Sequence, residues 1–247
     1  MEVNIFGEGA VGYKNIVKSS SSQDFFLYKK YKNYAVCTVA DGHSMDVFKY
    51  SHIGSYLACQ SVFEILKTYK LNEDIEKGEQ NFICDLKNKK VQNDIKNKWR
   101  DLVYREFYKR NYKVYKLDYM LFGTTLSFVI FLKEYIVFFN LGDSTILIKE
   151  DKDYVNVFKN NNFKFVNSLA LYNCEEKMQY SILKMNKDFK LVISTDGFIN
   201  SFETYHKLKS ELDRTFQILE KDIFSNRYLR NIYKKHLSNI SKYEKND

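Results

Sequence analysis

The chain has 247 residues, of which 45% are hydrophobic and 17% aromatic, and its formal net charge is +8. This composition excludes a wholly disordered protein and supplies enough apolar residues for one domain with a core. No apolar stretch approaches the ~18 residues of a membrane helix, and the first residues lack the basic and apolar regions of a signal peptide. The four cysteines include no Cys-x-x-Cys pair, which favours reduced thiols in a cytoplasmic protein over a zinc site or disulfides.

Basic residues outnumber acidic residues, 39 to 31, but they do not form a continuous block. Lysines are scattered along the predicted helices and interrupted by acidic residues. This pattern favours a solvated surface, and a patch that binds nucleic acid or an anionic membrane is the alternative. We expect neither nucleic acid nor a membrane as a partner.

The first predicted hairpin begins after Asp24. The aromatic run Phe25–Tyr28 predicts a strand, and a short lysine-containing turn joins it to a second apolar run, Tyr34–Val39. The second strand ends at Asp41 and Gly42. A hairpin of this length returns the chain, so we expect Asp24 and Asp41 to lie close together.

Helices are predicted on both sides of a central region. Residues 50–70 and roughly 84–114 carry apolar residues at helical spacing, and the second of these regions is heavily charged on its other face. After Asp196 the chain is again predicted to be helical, with apolar stripes that continue to Ile240.

Strands are predicted for most of the region between the helices. Short polar separators divide residues 124–158 and favour antiparallel hairpins over crossover connections. The predicted strands are Thr125–Leu132, Tyr135–Leu141, Thr145–Lys149, Tyr154–Phe158, Tyr180–Met185 and Lys190–Ser194. Since no linker or internal repeat divides the chain, the pattern predicts one α+β domain over residues 1–247.

Three predicted strands end in a turn that places aspartate beside glycine. These aspartates are Asp41, Asp143 and Asp196, and Asp24 stands at the start of another strand. Any single turn of this kind is explained by an ordinary hairpin. Several carboxylates that converge on one end of a sheet instead indicate a site for hard divalent cations, which prefer oxygen ligands.

The order of these motifs resembles the metal-dependent serine/threonine protein phosphatases of type 2C, and most of all a bacterial branch of that family. The motifs that carry the resemblance are Gln23-Asp24, Ala40-Asp41-Gly42-His43, Ser51 to Ser55, Gly123-Thr124-Thr125-Leu126, Leu141-Gly142-Asp143-Ser144, Ser194-Thr195-Asp196-Gly197-Phe198 and Asn200 to Phe202. The resemblance covers essentially the whole chain. It implies two antiparallel β-sheets packed as a sandwich and flanked by helices, an α-β-β-α arrangement.

The resemblance also implies a metal site. Asp41 would bridge two ions, and the Gly42 carbonyl, Asp24 and Asp196 would complete the ligands. Oxygen ligands suit Mg²⁺ or Mn²⁺ better than zinc. In family members the aspartate that matches Asp143 can hold a third ion, and a turn-forming role is the alternative for this residue.

His43 is the candidate general acid, because it lies two residues after Asp41 and an imidazolium there could protonate the leaving oxygen of serine or threonine. The alternative is a turn histidine that is bonded to a neighbouring carboxylate. The other histidines, His52, His206 and His236, have no acidic partner in the sequence pattern and are expected to be structural or exposed.

Three features depart from the family pattern. Ser44 stands where a second glycine often follows the histidine. Lys18 lies in the region where many members carry an arginine that grips the substrate phosphate, and it would act as a point charge without bidentate geometry. Asp247 matches a metal-binding aspartate of related sequences, and the closing strand that follows it there is missing here.

We therefore expect a monomeric, metal-dependent phosphatase that hydrolyses phosphoserine and phosphothreonine in proteins and reverses the action of a kinase. One alternative is an inactive or weakly active pseudophosphatase that binds phosphoproteins as a regulatory module. The other is a basic nucleic-acid-binding protein whose aspartates only form turns, and it predicts lysine clusters that the sequence lacks.

Overall fold

The computed structural model describes residues 3–17, 21–110, 112, 116–158, 166–185, 190–221 and 226–243. The described strands are β1 (Phe25–Lys30), β2 (Ala35–Ala40), β3 (Leu126–Phe131), β4 (Tyr135–Leu141), β5 (Thr145–Glu150), β6 (Asp153–Asn156), β7 (Gln179–Lys184) and β8 (Leu191–Ser194). The described α-helices are α1 (Tyr13–Val17), α2 (Ser51–Thr68), α3 (Ile75–Lys87), α4 (Lys90–Arg110), α5 (Cys174–Lys177), α6 (Asp196–Asn200), α7 (Tyr205–Glu220) and α8 (Asn226–Ile240). Short 3₁₀ helices cover Asp46–Phe48, Tyr119–Phe122 and Ser241–Tyr243.

The strands form two sheets in which every described pairing is antiparallel. The larger sheet has the order β1-β2-β3-β4-β7, and the smaller sheet has the order β6-β5-β8. Strand β3 is buried along its whole length and β4 along nearly all of it. Their continuous apolar sequences follow from this position, because both faces of these central strands are covered.

The core lies in three layers. Between the sheets, alternate residues of the larger sheet, among them Ala35, Val129, Ile136 and Phe138, pack against residues of the smaller sheet such as Ile146. The intervening residues of β2, β3 and β4 point the other way and pack against α2, α3 and α4. On the far side, α7 packs on β5 and β6 through Leu208 and Leu212. The predicted α-β-β-α sandwich is confirmed.

The turn at residues 142–144 was predicted to join two strands of one hairpin, and this prediction is wrong. Strand β4 belongs to the larger sheet and β5 to the smaller, so the turn carries the chain between the layers. Gly142 has φ +121° here, and a Cβ atom on it would lie 2.5 Å from Thr125 Cγ2. The sequence signal for a tight turn was sound, but it does not specify which sheet receives the next strand.

The helical region predicted at 84–114 is two helices instead of one. Helix α3 begins earlier, at Ile75, where the Asp74 side chain accepts a hydrogen bond from the Lys77 N–H as an N-cap. The break before α4 includes Lys89, whose φ is +60°. Helix α2 spans Ser51–Thr68, close to the predicted 50–70.

The expectation of reduced thiols agrees with the structure, since all four cysteines are free. Within the described ranges, no helix has both the length and the apolarity needed to cross a membrane.

Helix α2 closely approaches the 3₁₀ helix Tyr119–Phe122 at Gly54. A Cβ atom on this residue would lie 1.8 Å from the Phe122 carbonyl oxygen. The Gly54 carbonyl oxygen accepts a hydrogen bond of 3.0 Å from the buried indole N–H of Trp99. The contact therefore joins α2, α4 and the segment that leads to β3, and it leaves no room for a side chain.

We predict that Gly54→Ala lowers the free energy of unfolding by about 3 kcal/mol, because the obstacle is backbone and cannot move aside like a side chain. For a domain of this size the loss corresponds to a fall in Tm of about 6–12 °C. Thermal unfolding by circular dichroism measures it. Gly12→Ala is the control, since a Cβ atom there meets nothing within 4 Å. Equal Tm values for the two variants would contradict the tight contact.

Candidate metal centre

The hairpin of β1 and β2 brings Asp24 and Asp41 together, as predicted. Phe25 pairs with Ala40 in the register, so the preceding and the following aspartate lie at the same end of the sheet. The two carboxyl groups are close enough for each to act on the pKa of the other. Asp24 also accepts a hydrogen bond of 3.1 Å from the Thr195 hydroxyl, which comes from the other sheet.

The backbone of Asp41 is fixed by the segment that precedes β3. Its N–H donates to the Thr125 hydroxyl at 2.9 Å. Its carbonyl oxygen accepts from the Thr125 N–H at 2.8 Å and from the Thr124 hydroxyl at 2.9 Å. The Gly-Thr-Thr motif therefore positions the aspartate and takes no direct part in chemistry.

Asp196 reaches the same point from the smaller sheet. It follows β8 and is the first residue of α6. Its charge raises the pKa of Asp41, and its Oδ2 accepts from the Asn200 side-chain amide at 3.2 Å. Asn200 and Thr195 were not singled out as site residues. Asn200 could have been found, because residues four apart on a helix lie on one face.

Asp143 lies in the crossing between the sheets, close enough for the charges of Asp196 and Asp24 to act on it. Burial raises the pKa of its carboxyl group, and these two charges raise it further. Its Oδ1 atom is buried and has no hydrogen-bond partner among the described residues.

The electrostatics of the cluster are dominated by burial and by like charges. Burial raises the pKa of Asp41 far above its usual range, and Asp24 and Asp196 raise it further. Burial also raises the pKa of Asp24, against the opposing hydrogen bonds from Asp41 and Thr195. Because an unpaired charge is costly in a buried site, these groups favour either protons or a cation beside them.

The donor set fits a hard divalent cation. All of its candidate side-chain donors are carboxyl groups, and the Asp143 Oδ1 atom is buried without a partner in the described part of the chain. The described residues contain no group of three or more carboxylate, histidine or cysteine side chains with its atoms already arranged around one ion position.

Gly42 is required by the close approach of other backbone. A Cβ atom on it would lie 2.7 Å from the Gln23 carbonyl oxygen and 2.9 Å from the Ser51 carbonyl group. Its N–H donates to Gln23 at 3.2 Å. Gly42 and Thr124 also pair as an isolated antiparallel β-bridge. The two hydrogen bonds of this bridge run from the His43 N–H to the Gly123 carbonyl oxygen and from the Thr125 N–H to the Asp41 carbonyl oxygen. The Gly42 carbonyl oxygen takes no part in them.

His43 stands beside the cluster and packs on Phe48, with 4.6 Å between the ring centroids. Its backbone N–H donates to the Gly123 carbonyl oxygen at 3.2 Å. Burial lowers the pKa of the imidazole. Among the described residues, no ion pair joins its ring to a carboxylate.

Six of the residues considered in the sequence analysis remain to be placed. Lys18 and Asp247 lie outside the described residues. Ser44 is exposed, as are His52 and His206. The expectation that His236 lacks an acidic partner is wrong, because its Nε2 atom lies 2.8 Å from Glu211 Oε1 and links α8 to α7.

The comparisons with known proteins agree with this geometry. The sequence matches the family described as protein phosphatase 2C over residues 11–238. No curated protein matches the sequence. A serine/threonine phosphatase of S. agalactiae superposes with a TM-score of 0.53 at 16% identity, covering 91% of this chain and 88% of that chain. The catalytic domain of the serine/threonine protein phosphatase PstP, in complex with two manganese ions, gives a TM-score of 0.50 at 11% identity and covers 91% and 86% of the two chains. At these identities the structural likeness establishes the fold.

We predict that Asp41→Asn stabilises the metal-free protein at neutral pH. A carboxyl group whose pKa is raised in the folded state binds more protons there than in the unfolded chain, so the metal-free wild type loses stability as pH rises above about 4. The amide removes this loss. Thermal unfolding is measured in chelator at several pH values. The Tm of the variant should fall less with rising pH than the Tm of the wild type. Asp151→Asn, in an exposed turn, is the control and should follow the wild type.

The same variant should lose most of its response to metal. At a Mn²⁺ concentration 100-fold above the Kd, an ion that binds only the folded state stabilises it by about 2.7 kcal/mol. This gain corresponds to a rise in Tm of about 5–10 °C for the wild type and for Asp151→Asn. A rise of the same size in Asp41→Asn would exclude this residue as a ligand.

Proposed function

Because the chain belongs to the protein phosphatase 2C family and is a protein serine/threonine phosphatase, we propose that it hydrolyses phosphoserine and phosphothreonine in proteins with divalent ions held by its aspartate cluster. One observation carries the proposal. The Asp24, Asp41 and Asp196 carboxyl groups lie at one end of the sandwich, close enough for the charges of Asp24 and Asp196 to raise the pKa of Asp41. None of the ion pairs among the described residues gives any of them a lysine or arginine partner. In a chain with a net charge of +8, this local excess of negative charge is a site for cations.

Asp41 is proposed to bridge two Mg²⁺ or Mn²⁺ ions, with Asp24, Asp196 and the Gly42 carbonyl oxygen as further ligands. Asp143 is proposed to hold a third ion. When bound, such ions supply a water molecule of lowered pKa and neutralise charge on the phosphate. Thr124 and Thr125 keep the Asp41 backbone in place, while Asn200 orients the Asp196 carboxylate.

His43 is proposed to give a proton to the leaving oxygen of the serine or threonine. Its lowered pKa makes the imidazolium the minor form at neutral pH in the free protein. A phosphate dianion close to the ring favours the charged form and raises the pKa again, because opposite charges stabilise each other. Substrate binding therefore helps to protonate the acid that the reaction needs.

The residues outside the described ranges are proposed to complete the site. Lys18 would contact the substrate phosphate as a point charge, and Asp247 would add a carboxylate to the metal ligands. The protein is proposed to act as a monomer in the cytoplasm on phosphoproteins made by a kinase. Neither nucleic acid nor a membrane is proposed as a partner.

The test of this function measures the release of phosphate from a phosphothreonine peptide with and without Mn²⁺. We expect hydrolysis that depends on Mn²⁺ and that is lost in Asp41→Asn and in Asp196→Asn, while Asp151→Asn stays active. Binding of the phosphopeptide without turnover would overturn the proposal and would support the regulatory pseudophosphatase instead. Metal-independent turnover would exclude the aspartate cluster as the active site.

We predict that His43→Ala reduces hydrolysis of the phosphothreonine peptide by roughly 10²–10⁴-fold, which is the usual contribution of a general acid. Hydrolysis of p-nitrophenyl phosphate should fall much less, because nitrophenolate leaves without a proton. Steady-state kinetics on both substrates give the comparison. His52→Ala, at an exposed position on α2, is the control. Equal losses on the two substrates would assign His43 a structural role.

A further inference from the structure

Thr124 lies between two segments of the chain and connects them. On one side is the isolated bridge to Gly42, whose hydrogen bonds use the backbone groups of Gly123 and Thr125. Backbone groups alternate in direction along an extended chain. The N–H and carbonyl groups of Thr124 itself therefore point away from Gly42, and on that side they meet Ser168.

Ser168 makes a reciprocal pair of hydrogen bonds with the Thr124 backbone. The Thr124 N–H donates to Ser168 Oγ at 3.1 Å, and the Ser168 hydroxyl donates to the Thr124 carbonyl oxygen at 3.2 Å. The same carbonyl oxygen accepts from the Leu169 N–H at 2.9 Å. Because Thr124 is 0% and Ser168 only 3% exposed, loss of the hydroxyl would leave a buried N–H without its acceptor.

The segment that carries Ser168 is fixed on its other side by α4. The Leu171 carbonyl oxygen accepts a hydrogen bond of 3.3 Å from Arg100 Nη2. Further along, Glu175 of α5 pairs with Lys96 of α4 at 2.7 Å, and both side chains are largely buried. Salt screens such a pair less than an exposed one. Ser168 therefore projects towards Thr124 from a support that is anchored independently of the metal centre.

A serine hydroxyl at this position also has a purely local explanation. The Ala170 N–H donates to Ser168 Oγ at 3.3 Å, and serine often stabilises its own turn in this way. A turn of this kind needs no bond to another segment. The pair of bonds to Thr124 goes beyond it, and the Thr124 hydroxyl in turn donates to the Asp41 carbonyl oxygen at 2.9 Å.

We propose that Ser168 is a positioning residue for the metal centre. It fixes Thr124 and, through Thr124, the backbone that carries the Asp41 carboxylate and the Gly42 carbonyl oxygen. The inference rests on the metal ligands of the proposed function. Groups that orient the ligands of a metal are worth about 10–100-fold in metal affinity. Ser168 lies outside every motif that carries the family resemblance, so the sequence pattern did not single it out.

The test measures the Mn²⁺ affinity of the whole chain without substrate, from the electron paramagnetic resonance signal of free Mn²⁺. Ser168→Ala should raise the Kd at least about tenfold. Ser168→Thr keeps the hydroxyl and should bind Mn²⁺ within about threefold of the wild type. Ser61→Ala is the matched control, since Ser61 is also buried and its hydroxyl donates to the Ala58 carbonyl oxygen within α2 at 2.7 Å. Circular dichroism verifies that each variant is folded at the temperature of the titration.

A second pair of variants tests the path through Thr124. Thr124→Val removes the hydroxyl that donates to Asp41 and leaves the Thr124 backbone in place. If Ser168 acts through Thr124, Ser168→Ala should cost less affinity in the Thr124→Val background than in the wild type, because coupled residues are not additive. Equal losses in the two backgrounds would overturn this path.

A wild-type Kd in Ser168→Ala would overturn the inference and assign the hydroxyl to its own turn. An equal loss in Ser168→Thr or in Ser61→Ala would overturn it as well, because the effect would then not depend on the hydroxyl of this serine. The proposed function fails separately. If the wild type binds Mn²⁺ but does not hydrolyse the phosphothreonine peptide, the function is overturned, and the differences in Mn²⁺ affinity still decide the role of Ser168.

Discussion

The carboxyl group of Asp41 lies half-buried beside those of Asp24 and Asp196, and each of the three comes from the end of a strand. Loss of hydration and neighbouring like charges raise the pKa of Asp24 and Asp41, so these two groups are stable as carboxylates only when a cation compensates them. Neighbouring ion pairs in the described structure do not provide that compensation. The cost of these charges to the metal-free fold and the metal binding proposed for the cluster follow from the same loss of hydration.

The sandwich fold is what makes such a cluster possible. The β1–β2 hairpin supplies Asp24 and Asp41 from one sheet, and β8 supplies Asp196 from the other. The hydroxyl of Thr195 reaches across to Asp24 and joins the two sheets at the site.

Much of the local structure could be predicted because it depends on local patterns. Strand β4 has the predicted bounds, Tyr135–Leu141, and α2 lies within two residues of its prediction. The approach of Asp24 to Asp41 followed from the length of one hairpin. The early start of α3 was missed because its N-cap, Asp74, precedes a segment that has few apolar residues and a high charge. Neighbouring helices supply the stability that this segment lacks by itself.

By itself the sequence determined the strand-end positions of the aspartates, the helical periods and the places where only glycine can turn the chain. These features arise from interactions between residues that are near one another in the chain, and turn and periodicity rules describe such interactions well. The tertiary structure alone decided that the turn after β4 leads into a second sheet and that Glu211 meets His236. Each of these depends on contacts between segments that are distant in the sequence. The packing of the whole domain decides such contacts, and no local sequence pattern predicts them.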